Sequence, residues 1–298
     1  MNDVLQHCPV CGCTDHAFFL AGSIDHNKMT GFSYASRKEP EFMNFPYVEC
    51  PTCDLVYTPA PPTAEELKRV YRIAKFDSFV EADFAAKTYL KLLKPWINAL
   101  PKRECAVDIG AGTGALLPLL RREGFKKVMG IEPSLEAIMA ASPEAKEMLR
   151  GDFFSEELLE CCEPDLIFTA MTLEHVRDPL EMMKAVRKNL SPGGFVAVVM
   201  HNRRAPLNRA LGKRSPIIDV EHLQLFSPKS REQLFRKAGL EPLSIKSFSN
   251  RYPLRYWVRL LPLPVSIKRR LLKSTEKTGL SGLSLTLPVG NLFGVART

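Results

Sequence analysis

Short apolar runs alternate with amphipathic segments in the middle of the chain, between residues 105 and 199. Short apolar runs predict buried strands, and apolar residues at helical spacing predict the helices between them. Because parallel strands need crossover connections, this alternation predicts a parallel sheet with helices on both faces. The predicted strands are 105–109, 127–131, 147–151, 165–169 and 195–199, and the predicted helices are 115–123, 134–141 and 179–189.

The C-terminal part of the chain continues this domain. A helix is predicted over 227–238, where Gly239 ends it, and two closing strands are predicted over 242–248 and 287–296. Between these strands lies an insertion, at about 249–285, that is rich in arginine and aromatic residues. The sequence therefore predicts an α/β fold with a doubly wound sheet of seven strands.

The N-terminal part lacks this periodicity and is rich in cysteine. A proline-rich stretch, 58–63, ends it. Helices are predicted from Thr63, which can form a capping box with Glu66, and over 80–99. The predicted organisation is a metal-binding module (1–60), a helical linker or lid (61–100) and an α/β domain (101–298).

The composition, 45% apolar and 25% charged among 298 residues, is that of an ordinary globular protein. It excludes disorder, collagen and coiled coil as descriptions of the whole chain. The N-terminus lacks the basic and apolar regions of an export signal, and we expect no membrane span. The predicted location is the cytoplasm, where cysteines stay reduced. Cys105, Cys161 and Cys162 are expected to be small packed side chains.

The net charge of +8 is unevenly distributed. Two stretches, 203–214 and 251–273, contain several basic residues and no acidic residue. Such clusters are compatible with a solvated face, or with attraction to a phosphate, a nucleic acid or a membrane surface.

A glycine-rich segment, which we call the glycine loop, runs from Asp108 to Gly114 as D-I-G-A-G-T-G. It lies where the first strand of the α/β domain meets its first helix, and glycines there let the backbone approach a ligand closely. The dinucleotide fingerprint G-x-G-x-x-G differs, because its third glycine comes one residue later. A carboxylate at Asp108 would also repel a pyrophosphate, whereas it favours a cationic sulfonium or an amino group.

Acidic residues also follow the next two predicted strands. Glu132 ends the second strand, where a carboxylate can accept both hydroxyls of a ribose. Asp152 and Phe153 end the third, and they offer an acid to an adenine amino group and a ring to its face. Together with the glycine loop, these residues predict a nucleoside site at one edge of the sheet.

With these residues, the chain resembles the class I S-adenosylmethionine-dependent methyltransferases over residues 105 to about 199. The resemblance implies a Rossmann-like sheet and S-adenosylmethionine as cofactor, with its methionine part at the glycine loop, its ribose at Glu132 and its adenine at Asp152. Residues 171–176, M-T-L-E-H-V, are similar to the family's segment after the fourth strand. The predicted cofactor-binding residues are Asp108, Gly110, Ala111, Gly112, Gly114, Glu132, Asp152, Phe153 and Met171.

Four cysteines in two C-x-x-C pairs lie at the two ends of the module: Cys8, Cys11, Cys50 and Cys53. Each pair can place two thiolates on one tetrahedral metal ion, and four thiolates leave no open position. The pattern therefore predicts a structural Zn²⁺ in a zinc-ribbon-like module. A ligand set that includes Cys13 or His16, and redox chemistry at the pairs, are the alternatives.

The order of the cysteine pairs and the segment C-D-L-V-Y-T-P-A-P-P resembles a bacterial subgroup of these enzymes that modifies sugars, glycans and secondary metabolites. That subgroup usually has glycine after the second pair, where this chain has Asp54. It is also similar at residues 221–228, E-H-L-Q-L-F-S-P, where a histidine follows the fifth strand.

Methyl transfer to a hydroxyl requires removal of a proton, and histidine is the natural base near neutral pH. We predict His222 as the base and His175 as the second candidate, with Glu221 or Asp219 as the orienting partner. His201 follows the fifth strand directly and is a further candidate. A structural role, in hydrogen bonds to the backbone, is the alternative for each histidine.

The predicted function is methyl transfer to a small-molecule or glycan acceptor, first of all a sugar hydroxyl. The basic clusters favour an anionic or lipid-linked acceptor, and the insertion is predicted to be a lid or a peripheral membrane contact through 251–273. A packed subdomain is the alternative. RNA methylation and non-catalytic binding of the cofactor as a partner protein are the competing functions. Residues 171–175 disfavour RNA, because enzymes that act on exocyclic base amines carry N-P-P-Y there.

Overall fold

The computed structural model describes residues 6–35, 39–160, 162–277 and 280–298, apart from the side chain of Ser281. The predicted packing of Cys161, the residues before position 6, and residues 278–279 of the insertion lie outside this part of the chain. Within it, no helix is both long and apolar enough to cross a membrane.

Eleven strands and eleven α-helices make up this part of the chain. The strands are β1 (Ala17–Leu20), β2 (Tyr47–Glu49), β3 (Val56–Tyr57), β4 (Cys105–Ile109), β5 (Lys127–Ile131), β6 (Leu149–Arg150), β7 (Leu166–Ala170), β8 (Phe195–His201), β9 (Gln224–Leu225), β10 (Glu241–Pro253) and β11 (Ser284–Arg297). The helices are α1 (Ala64–Arg72), α2 (Phe79–Asn98), α3 (Leu117–Arg122), α4 (Leu135–Met139), α5 (Pro143–Lys146), α6 (Glu157–Glu160), α7 (Pro179–Asn189), α8 (Pro206–Leu211), α9 (Pro228–Lys237), α10 (Leu254–Leu260) and α11 (Val265–Lys277).

Seven strands form the main sheet in the order β10-β11-β8-β7-β4-β5-β6. The five strands from β8 to β6 in this order are parallel, and β11 runs antiparallel to β8 and β10. This confirms the predicted doubly wound sheet. The third predicted strand is shorter than expected, because the turn that ends α5 continues through Glu147 and Met148, and only Leu149 and Arg150 pair as β6.

The order of the parallel strands reverses between β4 and β7. Ligands of doubly wound sheets bind at such a reversal, outside the carboxyl ends of the strands. Alternate residues of β4 enter opposite apolar clusters, with Val107 and Ile109 on one face and Ala106 on the other. The strands that carry the site are therefore held by packing on both faces.

The N-terminal module joins the α/β domain through a second, four-stranded sheet of order β1-β2-β3-β9. Val56 of β3 lies opposite Leu225 of β9, which is an antiparallel pairing between distant parts of the chain. Cys8 and Cys53 belong to the same apolar cluster as Val198 of β8. The module is thus packed directly on the α/β domain.

Asp54 strengthens this junction. Its backbone is left-handed, with a φ of 66°, a conformation in which glycine is common and aspartate is tolerated. Its carboxylate accepts hydrogen bonds from Arg203 and Arg204, both of which also pair with Glu49. The carboxylate of Asp54 therefore anchors the module to two arginines of the first basic cluster.

Because of this junction, the free energy of unfolding is expected to depend on pH in the acidic range. Burial alone would raise the pKa of Asp54, but hydrogen bonds from Arg204 and the charges of both arginines lower the pKa to about 2. A carboxylate with a lowered pKa stabilises the fold above its unfolded pKa, near 4, and the stabilisation is lost as the pH falls through the folded value. We expect Asp54→Asn, which keeps the left-handed backbone accessible, to cost about 2 kcal/mol at pH 6.

Urea unfolding of the wild type and Asp54→Asn at several pH values measures this difference. The difference in unfolding free energy between the two proteins should shrink steadily between pH 4 and pH 2. Protonation of the cysteine thiols affects both proteins equally, so it cancels in this difference. A difference that stays constant over this range would show that the charge of Asp54 contributes nothing.

Candidate functional site

A cavity of about 850 Å³ lies outside the carboxyl ends of β4, β5, β7 and β8. The glycine loop forms one wall. Gly110 and Gly112 have φ values of 77° and 57°, which favour glycine. A Cβ at Gly110 would also lie 2.2 Å from Oγ1 of Thr172, so no larger residue fits without displacing that side chain. The loop backbone thus faces the cavity with no side chain at these two positions.

Glu132 connects the loop to the end of β5. One of its carboxylate oxygens accepts a 2.7 Å hydrogen bond from the amide of Gly112, and the other accepts a 2.8 Å bond from the amide of Ser134. Asp108 at the end of β4 is buried and lines the same cavity. The structure therefore brings the first two predicted acids together with the loop.

The other predicted cofactor residues are divided between two places. Ala111, Phe153 and Met171 line the main cavity. Met171 has a φ of 54°, a strained conformation for a residue that is not glycine, at the end of β7. Asp152 is exposed and lines a smaller hollow beside the main cavity. Phe153 lines both the hollow and the main cavity. Gly114 turns away, toward the packed side chain of Leu117.

Three histidines from three separate segments meet at the cavity. The ring of His222 stacks on that of His175, with centroids 4.9 Å apart and an interplanar angle of 29°. The ring of His201 meets His222 edge-on at 5.3 Å. His222 is only 2% exposed, yet all three side chains line the cavity. The segments singled out from the sequence therefore converge on one cluster.

A buried acid that the sequence did not indicate supports this cluster. Glu174 is fully buried, and its Oε1 accepts a 2.7 Å hydrogen bond from the backbone amide of His201 and lies 3.2 Å from Nδ1 of the same residue. Burial alone would raise the pKa of Glu174, but the hydrogen bonds and charge of His201, with the charge of His175, lower it. The only sequence signal was an acid directly before His175 in an apolar segment.

The predicted orienting partners have different surroundings. Oε1 of Glu221 lies 4.0 Å from Nε2 of His222, and the Glu221 carbonyl lies 2.8 Å from Nδ1 of His175. Asp219 uses its carboxylate to accept hydrogen bonds from the amides of the loop at 41–42 and of its neighbour at 220. The Tyr71 hydroxyl, which we did not predict, donates to the Glu221 carbonyl at 3.3 Å.

Another part of the cavity lining is aromatic and amide-bearing. Tyr252, Tyr256 and Trp257 contact one another there, with ring centroids 4.4 to 5.7 Å apart. Asn250 and Asn291 are 3% and 2% exposed, and the side-chain oxygen of each has no hydrogen-bond partner among the described residues. Asn291 lies opposite His201 in the sheet register. Two buried acceptors therefore line the same cavity as the histidine cluster.

The basic clusters do not face this cavity. Its basic lining residues are Lys68, Lys75 and Arg177, whereas Arg203 and Arg204 bind the acids of the N-terminal module. Part of the charge of the first cluster is therefore neutralised within the fold, and the anionic character of the acceptor stays a prediction.

The four predicted metal ligands, which lie in two pairs distant in sequence, form one cluster in the N-terminal module. Their sulfur atoms all lie within 4.8 Å of one another, and the Cys8–Cys53 and Cys11–Cys50 distances are each 3.5 Å. These distances are too long for a disulfide and compatible with a tetrahedral Zn²⁺, whose Zn–S bonds are about 2.3 Å. Cys13 lies outside the cluster, where its thiol accepts a hydrogen bond from the Thr52 hydroxyl and donates one to the Asp15 carbonyl.

Comparison with known proteins gives a family match. Residues 76–245, more than half of the chain, match the family described as a methyltransferase domain. The chain is 29% identical to a "Ubiquinone biosynthesis O-methyltransferase" of Ralstonia nicotianae, over 47% of this chain and 64% of that protein. It is 24% identical to a "tRNA U34 carboxymethyltransferase" of Campylobacter jejuni, over 40% and 43%. The chain thus spans less than two thirds of either relative.

Among solved structures, one similar protein is a "SAM dependent methyltransferase" from Archaeoglobus fulgidus. It is 17% identical, covers 73% of this chain and 97% of its own, and has a TM-score of 0.49.

The four-cysteine geometry predicts a metal-dependent stability. We expect Cys8→Ser to lose bound zinc and to unfold at a lower temperature, because the cluster packs against the core of the α/β domain. Cys13→Ser is the matched control, since Cys13 lies outside the cluster. Elemental analysis and thermal unfolding of the purified proteins measure both effects. Equal loss of metal in the two variants would favour a ligand set that includes Cys13.

Proposed function

Because the chain belongs to the class I S-adenosylmethionine-dependent methyltransferases, we propose that it methylates a hydroxyl group of a small-molecule or glycan acceptor, with a sugar hydroxyl as the first candidate. The observation that carries this proposal is one cavity in which the glycine loop, three histidines and two buried amide oxygens meet. The name of the Ralstonia relative, an O-methyltransferase, also supports oxygen as the acceptor atom.

The donor end is the wall formed by the glycine loop. When bound, S-adenosylmethionine supplies a methyl group on a positively charged sulfur. We assign Gly110, Ala111 and Gly112 to close backbone contact with its methionine part, and the buried carboxylate of Asp108 to its cationic groups. Glu132 is assigned to the ribose. Gly114 acts indirectly, by keeping the loop packed on α3.

The adenine end lies at the boundary of the two hollows. Phe153 lines both, so its ring can contact the base from the main cavity. Asp152 reaches the adenine amino group only from the outer hollow, where it is exposed. We assign Met171 to the floor between the donor and the acceptor, since its backbone is fixed by a 2.8 Å hydrogen bond to Val199.

The acceptor end is the aromatic and amide-lined part of the cavity. A buried acceptor atom without a partner costs about 1–3 kcal/mol, and a hydroxyl that donates to it removes this cost. A sugar offers several hydroxyls to Asn250 and Asn291, and its apolar ring face suits the surface of Tyr256 or Trp257. An anionic group on the acceptor would have to meet Lys68, Lys75 or Arg177.

The histidine cluster is assigned to proton removal. His222 takes the proton from the acceptor hydroxyl, with His175 as the second candidate and Glu221 as the orienting carboxylate at 4.0 Å. The carboxylate of Glu174 accepts a hydrogen bond from the backbone amide of His201. It thereby fixes the position of the His201 ring, which meets the ring of His222 edge-on. Alignment of the hydroxyl with the methyl group also contributes to the rate.

Two further assignments complete this proposal. Zn²⁺ at the four cysteines has a structural role, because four thiolates leave no position for a substrate. The cytoplasm is the proposed location. RNA is the alternative acceptor, favoured by the name of the Campylobacter relative, and retention on RNA with a steep salt dependence would support it. Binding of the cofactor without turnover is the other alternative.

The role of His222 is tested by His222→Ala. We expect the rate of S-adenosylhomocysteine formation to fall about 100-fold or more, because a general base contributes at least that much, while calorimetry shows unchanged donor affinity. Free, phosphorylated and nucleotide-linked sugars serve as acceptors. His26→Ala is the control, since His26 is exposed in the N-terminal module. An unchanged rate for His222→Ala would remove this residue as the base.

The acceptor site is tested by Asn291→Leu. Removing a buried oxygen without a partner should leave the thermal stability unchanged or raise it, and the acceptor KM should rise about tenfold with loss of one hydrogen bond. Asn208→Leu is the control for stability, since Asn208 is buried with both ends of its amide bonded and should lose stability. A lower melting temperature with an unchanged KM would assign Asn291 to packing alone.

A further inference from the structure

The insertion between β10 and β11 has one face that is bound to the rest of the protein. Its α10 carries Tyr256, Trp257 and Leu260 at the wall of the cavity. Its inward cations are all paired with acids of the N-terminal half of the chain. The pairs are Arg255 with Glu81 at 3.4 Å, Arg259 with Asp77 at 2.9 Å and Lys268 with Glu39 at 2.6 Å.

The opposite face of the insertion carries cations of a different kind. Arg269, Arg270, Lys273 and Lys277 on α11 are exposed, and no ion pair joins any of them to another residue in the described part of the chain. Glu276 is the only acidic residue from position 251 to the C-terminus. The insertion thus divides its charge: cations that face the protein are neutralised, and cations that face outward are not.

Large apolar side chains are exposed on the same outer face. Ile267 and Leu271, one helical turn apart on α11, are 44% and 39% exposed, and Val265 at the start of the helix is 61% exposed. At 100° per residue, Ile267 and Leu271 lie beside the stripe of Arg270, Lys273 and Lys277. Leu261, Leu263, Leu280 and Leu283 are exposed around the helix.

We propose that this face, α11 with the exposed leucines around it, binds the surface of a membrane that contains anionic lipids. A helix with basic residues beside an apolar stripe lies in the interface, with its apolar side chains among the acyl chains and its cations at the headgroups. A nucleic acid would pair with the cations but leave the apolar residues in water. A second copy of the chain would bring like charges together.

The position of this face relates it to the cavity. Leu261 is 41% exposed and Leu287 is 37% exposed, and both also line the cavity. The rim of the cavity is therefore continuous with the proposed membrane-binding face. On the basis of the proposed function, an acceptor with a lipid tail could place its head in the cavity while the tail stays in the bilayer.

Sedimentation of the full, zinc-loaded chain with vesicles tests the proposal. Vesicles of phosphatidylglycerol and phosphatidylcholine are compared with vesicles of phosphatidylcholine alone, at low and high salt. We expect binding to the anionic vesicles that is at least tenfold stronger and weakens with salt. Arg269→Glu/Arg270→Glu should lose it, and so should Ile267→Ser/Leu271→Ser, which leaves the charge unchanged.

Lys229→Glu/Lys237→Glu is the charge-matched control, because both lysines are exposed on α9, in a different part of the chain. It makes the same change in net charge and should keep vesicle binding. Thermal unfolding and calorimetric binding of S-adenosylhomocysteine are measured for every variant, so a folding defect or a failure of the proposed donor site is recognised separately.

Three outcomes would overturn the proposal. The first is no sedimentation of the wild type with anionic vesicles, and the second is equal binding of the α11 and α9 charge variants. The third is retention on transfer RNA, lost in Arg269→Glu/Arg270→Glu, without any binding to vesicles, which would assign the face to nucleic acid.

Discussion

The complete burial of Glu174 is the constraint on which the site depends. An ionised carboxylate is stable inside a protein only when hydrogen bonds and opposite charges surround it. The side chain of Glu174 binds His201 at the end of β8, and its carbonyl accepts hydrogen bonds from the amides of Leu223 and Gln224. A single residue thus fixes the positions of two segments that carry histidines of the cluster.

The same segment connects the histidine cluster to the four-cysteine cluster. His222 directly precedes Leu223 and Gln224, and Gln224 belongs to β9, which pairs with β3 of the N-terminal module. The side-chain amide of Gln224 donates hydrogen bonds to the backbone carbonyls of Leu173 and Val176, which flank Glu174 and His175. The zinc-compatible cluster and the histidine cluster are therefore linked by a short, fully buried stretch of chain.

Much of the fold follows from local patterns. Helix 179–189 and the strands at 105–109 and 127–131 match the structure to the residue, because their periodicity and end signals are strong. The strand predicted over 147–151 does not, since the turn that ends α5 takes its first two residues. The metal site and the glycine loop were predictable because their residues are close in sequence or carry a specific chemistry.

The rest of the site depends on contacts between distant residues. Asn250 and Asn291 are ordinary residues in the sequence, and only the sheet register brings them to the cavity. The first basic cluster shows the same limit, because a linear sequence does not show that Arg203 and Arg204 bind Glu49 and Asp54. Local composition revealed the charge but not its partners.

The hydroxyl of Tyr47 donates a 2.7 Å hydrogen bond to the carbonyl of His222 from within the N-terminal module. Excision of that module would break this bond and leave β9 without the strand it pairs with. A shortened enzyme would therefore lose the backbone support of its histidine even though every predicted donor-binding residue remained. The cysteine-rich segment is, in this sense, a part of the scaffold of the candidate site and not a detachable accessory.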